Sequence, residues 1–128
     1  MDEGDVSRIL ENASIGHPRF ERLVREALER IPLRLGDLNP LRIFLSGYQE
    51  GFASSLEHTD SEWFNIIVID LHDLENKEDP YIIAVVAHEV AHVYLGHSKS
   101  RDLSSRPGQE EEARALVKRW GFVDSRLP

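Results

Sequence analysis

Apolar residues recur along the first third of the chain at helical spacing. Val6, Ile9, Leu10 and Ala13 make a short amphipathic stretch that Asp5 or Ser7 can cap, and Gly16-His17-Pro18 interrupts it. From Arg19 to Ile31 the apolar positions are Phe20, Leu23, Val24, Ala27, Leu28 and Ile31, a series that predicts a helix with one core-facing stripe. Pro32 closes it. The pattern then changes. Leu41 to Ser46 is a compact apolar run, Phe52 to Glu57 is shorter and more polar, and Trp63 to Leu71 is rich in Ile and Val behind an Asp60-Ser61 turn. Three strands in succession predict a small, mainly antiparallel sheet, with the polar middle strand at an edge.

Asp79 and Pro80 open a second strong helix, Asp79 as N-cap and Pro80 in the first helical position. It runs to Leu95, with Gly96 suited to the left-handed residue that ends a helix. Its apolar residues lie nearly all round, which predicts a helix about 24 Å long through the middle of a core. A last helix is expected from about Pro107 to Trp120, with three glutamates in its first turn and Gly121 as terminator. The fold expected is a compact α+β arrangement in one domain over residues 1–128.

Length and composition agree with that. A chain of 128 residues with 41% apolar content builds one core and leaves little room for a second. Lys plus Arg total 15 against 23 Asp plus Glu, a net charge of −8, so phosphate backbones are repelled and nucleic acid is a poor partner. Tyr81 to Ala87, the longest apolar run, is far too short for a membrane span, and the N-terminus shows no basic-then-apolar leader pattern. A soluble, cytoplasmic protein without a membrane partner is expected. The chain has no cysteine, so any metal site must be built from His, carboxylates and water.

Such a site is suggested by His88-Glu89-Val90-Ala91-His92 within the apolar helix. Residues i and i+4 lie on one helix face, and two imidazoles there can reach one Zn²⁺ at about 2.0–2.1 Å. Glu89 is rotated away from the pair and suits a general base acting on a water at the metal. The competing interpretation is a pair of core histidines satisfied by carbonyls or carboxylates. A catalytic zinc needs a third protein ligand, and His97, Glu110 and Glu112 are candidates. If Ala113, Leu116, Val117 and Trp120 face the core, Glu110 stands about 70° from the centre of that face, Glu112 about 90° and Glu111 about 170°. Glu110 is the best ligand on phase, Glu112 second, and Glu111 should face water. Acids suited to the helix macrodipole are the plainer explanation of the three.

The combination of His88-Glu89-Val90-Ala91-His92 with Glu110-Glu111-Glu112-Ala113 resembles the gluzincin clan of metallopeptidases, and the short chain ending in Trp120-Gly121-Phe122 looks most like the minigluzincins. The resemblance covers about Leu41 to Phe122. It implies a zincin-like fold, His88, His92 and Glu110 as zinc ligands, and Glu89 as general base and acid. It also makes Phe52 to Glu57 similar to the clan's cleft-rim strand, which pairs with an extended peptide. One departure stands out: many clan members place an acid or amide four residues after the glutamate ligand, to support a histidine, and here that residue is Arg114. Two other histidine patterns fail by register. Leu95 and Ser98 occupy the positions where a metzincin needs Gly and His, and a His-x3-His-x5-His pattern needs its third histidine one place beyond His97.

His17, His58 and His72 lie beside turn signals and read as solvated loop residues. Tyr48, Tyr94 and His97 are conceivable oxyanion donors, with Tyr94 better placed for the core, and Trp63 and Trp120 read as core anchors. The function expected is zinc-dependent hydrolysis of peptide bonds in a peptide or protein substrate. Latency is part of that expectation: the tail after Phe122, the Lys99 to Ser105 loop or another copy in a homo-oligomer can occlude the cleft. The alternatives are a non-catalytic zinc-binding interaction module, which Arg114 motivates, and a structural domain without metal.

Overall fold

A computed structural model describes residues 1–38, 41–46, 65–96 and 106–122. Their elements, in chain order, are α1 (Glu3–Glu11), α2 (Pro18–Arg30), a 3-10 turn (Leu35–Asp37), β1 (Leu41–Ser46), β2 (Asn65–Asp70), α3 (Leu71–Leu74), α4 (Asp79–Tyr94) and α5 (Arg106–Arg119).

Each long helix begins and ends for a local reason. Asp2 caps α1 by accepting the Asp5 N–H at 2.8 Å. Asp5, an expected cap, instead accepts the Leu35 N–H at 3.0 Å and ties the 3-10 turn to α1. His17 caps α2 through Nδ1, which accepts the Phe20 N–H at 3.5 Å, with Pro18 following in the first turn. It is therefore a capping group rather than a loop histidine. Along α2, Phe20, Leu23, Val24, Ala27 and Leu28 are buried, as the periodicity requires.

The sheet departs from expectation. Among the described residues it has two strands, and they run parallel, in register from Leu41 opposite Asn65 to Ser46 opposite Asp70. The mainly antiparallel three-stranded sheet is thereby overturned, although the domain remains small and α+β. Apolar runs and turn signals carry no strand direction. Residues 47–64 separate β1 from β2, ample chain for the crossover a parallel pair demands. The predicted strand from Phe52 to Glu57 lies outside the described residues. Ser14 bridges to the far edge of β1, its N–H donating to Ile43 O and its carbonyl accepting from Leu45 N–H, both at 2.9 Å. With neighbours on both edges, β1 buries Ile43, Phe44 and Leu45 in succession, the continuous apolar run of an enclosed strand. In β2 burial alternates: Ile67 and Ile69 are buried, while Val68 between them is 47% exposed.

Helix α4 is the centre of the core. It buries nine residues, His88 among them, and packs against α2, α5 and β2. Its N-cap is Glu78 rather than Asp79, and no side chain caps it. Asp79 is taken up by α2: Arg19 donates from Nε and Nη2 to Oδ1 at 3.1 and 2.8 Å, and Arg22 donates to Oδ2 at 3.1 Å. Arg19 also donates to the carbonyls of Glu75 and Lys77, at 2.9 and 2.7 Å, fixing the loop into α4. Gly96, at φ 78°, ends the helix as expected.

Helix α5 starts at Arg106, so Glu110 to Glu112 lie in its second turn instead of its first. Its buried residues are Ala113, Leu116 and Val117. Gly121, at φ 91°, closes it with Phe122 N–H donating to Val117 O at 3.1 Å and Gly121 N–H to Lys118 O at 3.0 Å, the paired bonds of a Schellman end. No helix of the described residues is long and apolar enough to cross a membrane.

Candidate metal centre

His88 and His92 come from successive turns of α4, and Glu110 reaches them from α5. His88 is 4% exposed. His92 is less enclosed, and the Glu110 side chain is 43% exposed. The carboxylate spans the pair. Its Oε2 lies 3.0 Å from His88 Nε2 and its Oε1 lies 3.1 Å from His92 Nε2. The two Nε2 atoms are themselves 3.1 Å apart, with the rings edge to face at 83°. Among the described residues these three make the group that could hold a metal ion.

Two observations bear on whether a metal fits. Donors about 2.0–2.1 Å from a tetrahedral ion stand about 3.3 Å from one another, close to the separations here. A cation accepts all three lone pairs at once. The second observation is a deficit. His88 Nδ1 is buried without a hydrogen-bond partner among the described residues. Metal ligation through Nε2 leaves the proton on Nδ1, where an acceptor ordinarily holds the ring.

The expected phase of α5 holds. Glu110 turns to the histidines, whereas Glu111 and Glu112 are exposed. Since the glutamates sit past the first turn, the helix dipole does not account for Glu110. Burial pushes the Glu110 carboxyl up, but the His88 hydrogen bond and the fields of His92, His88 and Arg114 outweigh it, holding the group below its ordinary value. Arg114 thus acts on the glutamate, one turn away.

Glu89 does not join the triad. Together with His88 it lines a cleft of about 470 Å³ between β2, α3 and α4. Burial pushes its carboxyl up; the neighbouring His88 opposes this and Glu110 adds to it, and the balance stays above the ordinary value. A carboxylate in that setting has an increased affinity for a proton.

The remaining candidates separate. His72 is the second residue of α3 and is exposed. Tyr94, expected to suit the core, is 45% exposed, with its ring 6.5 Å from that of Trp120, which is partly buried. Tyr48, His58, Trp63, His97, Lys99 to Ser105 and the tail after Phe122 lie outside the described residues. Sequence reasoning missed the Arg19–Asp79–Arg22 lock and the cleft. A signal for the lock was present, since Arg19 and Arg22 share a face of α2, but their partner lies in a different helix. Comparison of the chain with protein-family models, with curated proteins and with solved structures finds no match.

Proposed function

We propose that the chain is a zinc-dependent peptidase in which His88, His92 and Glu110 hold the metal and Glu89 is general base and acid. The observation that carries this is the convergence of the three donors, with Glu89 on the wall of the adjoining cleft. Two imidazoles and a carboxylate, in a chain without cysteine, suit zinc among divalent ions. A zinc ion held by these residues would supply Lewis acidity and make a water beside it a stronger acid. Glu89 takes the proton of the attacking water on its carboxylate, and its raised proton affinity suits that step. It then delivers the proton to the leaving amine nitrogen, which otherwise departs as an unstable anion. The cleft beside it gives an extended peptide room next to the reacting carbonyl.

Metal analysis and peptide hydrolysis test this together. The wild type should bind one zinc per chain, and His88→Ala should lose it. Glu89→Gln should keep the zinc while kcat/KM falls by about 10³-fold, within the span usual for removal of a general base. A zinc-loaded chain that cleaves nothing in a broad peptide library, both whole and truncated after Phe122, defeats the enzymatic reading.

The unpartnered His88 Nδ1, with Arg114 where a supporting acid would stand, favours one second reading: a non-catalytic zinc-binding interaction module. Truncation after Phe122 separates it from latency. Activity that emerges on truncation marks an occluded peptidase, whereas zinc binding without cleavage in either form marks a module.

A further inference from the structure

The cleft beside Glu89 has a chemical character that the general reaction does not require. Val68, Leu74, Tyr81 and Val85 give it apolar walls, and Asp70 and Asp73 stand among them. No Lys or Arg is among its described lining residues. Val68 is the informative wall residue, because it is 47% exposed on a strand whose neighbours Ile67 and Ile69 are buried. Asp70 has a structural duty, since its Oδ1 accepts the His72 N–H at 2.9 Å and caps α3. Asp73, the third residue of α3, is exposed. Tyr81 presents a ring that already receives an ammonium: Lys77 Nζ lies 5.9 Å from its centroid. His88, itself 4% exposed, is part of the same wall, so the cleft adjoins the three-donor group.

We infer that this cleft is a subsite for a lysine or arginine side chain flanking the scissile bond, a reading that rests on the proposed peptidase function. A basic side chain has the matching anatomy. Its methylene stem covers the apolar walls while its cationic head reaches Asp73 and Asp70 at the rim. An uncharged aliphatic side chain would take the same walls but desolvate the two carboxylates without compensation. An acidic one would meet them as like charges.

The test is binding, followed by cleavage. Acetyl-Ala-Lys-Ala-amide and its norleucine and glutamate counterparts are titrated into the zinc-loaded Glu89→Gln chain and followed by NMR. The lysine peptide should bind about tenfold more tightly than the norleucine peptide, with shifts centred on Val68, Tyr81 and Val85 and a preference that shrinks as salt rises. Asp73→Asn should remove most of the preference and Asp73→Glu should keep it. Equal or tighter binding of norleucine, shifts centred elsewhere, or no binding of any peptide overturns the subsite. Cleavage by the wild type then separates the two claims. A lysine preference in binding without any library cleavage, by the whole chain or by the chain truncated after Phe122, sinks the peptidase function and leaves the binding site standing. Cleavage indifferent to charge beside the scissile bond sinks the subsite alone.

Discussion

The two ends of helix α4 handle charge in opposite ways. At its first turn, Asp79 meets two arginines of α2, and Arg19 uses its remaining donors on two loop carbonyls. Every group in that cluster has a partner, and all of it lies toward the surface. Nine residues further on, His88 is almost wholly buried, its Nε2 crowded by a second imidazole and a carboxylate, its Nδ1 without a partner among the described residues. The first arrangement orients the helix. The second costs folding free energy in the absence of metal, since a buried unsatisfied polar group costs about 1–3 kcal/mol. The three donors form a group that could hold a metal ion.

Zinc should have the largest effect on this contrast. At a free concentration 1,000 times its dissociation constant, it should raise the unfolding free energy by about 4 kcal/mol. Urea titrations with zinc and with a chelator measure this, and His92→Ala should flatten the response. Next comes the packing half of the helix. Ile82 is fully buried, so Ile82→Ala should cost about 2–5 kcal/mol, equally with and without zinc, by the same titrations. Coupling between that loss and zinc would show that the two ends are not separate.

His88→Leu probes the deficit directly. It should abolish zinc binding yet stabilise the metal-free chain by about 1 kcal/mol, because it removes an unsatisfied group and keeps a similar volume. A less stable metal-free variant would mean that His88 is well satisfied after all, and the comparison would collapse.

The smallest effect belongs to Asp79, whose ion pairs are open to solvent. Hydrogen bonds from Arg19 and then Arg22 hold its carboxyl below the ordinary value against a small opposing burial. The folded chain therefore keeps the carboxylate charged where the unfolded chain has already taken up a proton. This contribution is whole above the unfolded carboxylate range and fades as pH falls through the lowered folded value. Wild type and Asp79→Asn should accordingly differ in urea midpoint at neutral pH and converge in strong acid. A difference that survives there would come from packing.

Much of this was visible in residue order. The i, i+3, i+4 series placed α2 within a residue at each end, because its stripe is a local property of 3.6 residues per turn. The same arithmetic set His88 and His92 on one face and turned Glu110 rather than Glu111 toward the core, since only the apolar phase of α5 was needed. Gly96 and Gly121 announced their helix ends, where a left-handed backbone favours a residue without Cβ.

What escaped the sequence depends on direction and distance. A strand reads the same to a hydrophobicity pattern whichever way its neighbour runs, so the parallel pairing of β1 with β2 could not be read from it. Asp79 looked like a cap because capping is local, but two arginines 57 and 60 residues away claimed its carboxylate. The absent partner of His88 Nδ1 and the acidic rim of the cleft were equally beyond reach, because both depend on which groups three other elements bring to α4. Sequence determined which residues share a helix face. Tertiary packing determined what each face meets, and so turned a spaced pair of histidines into a three-donor site.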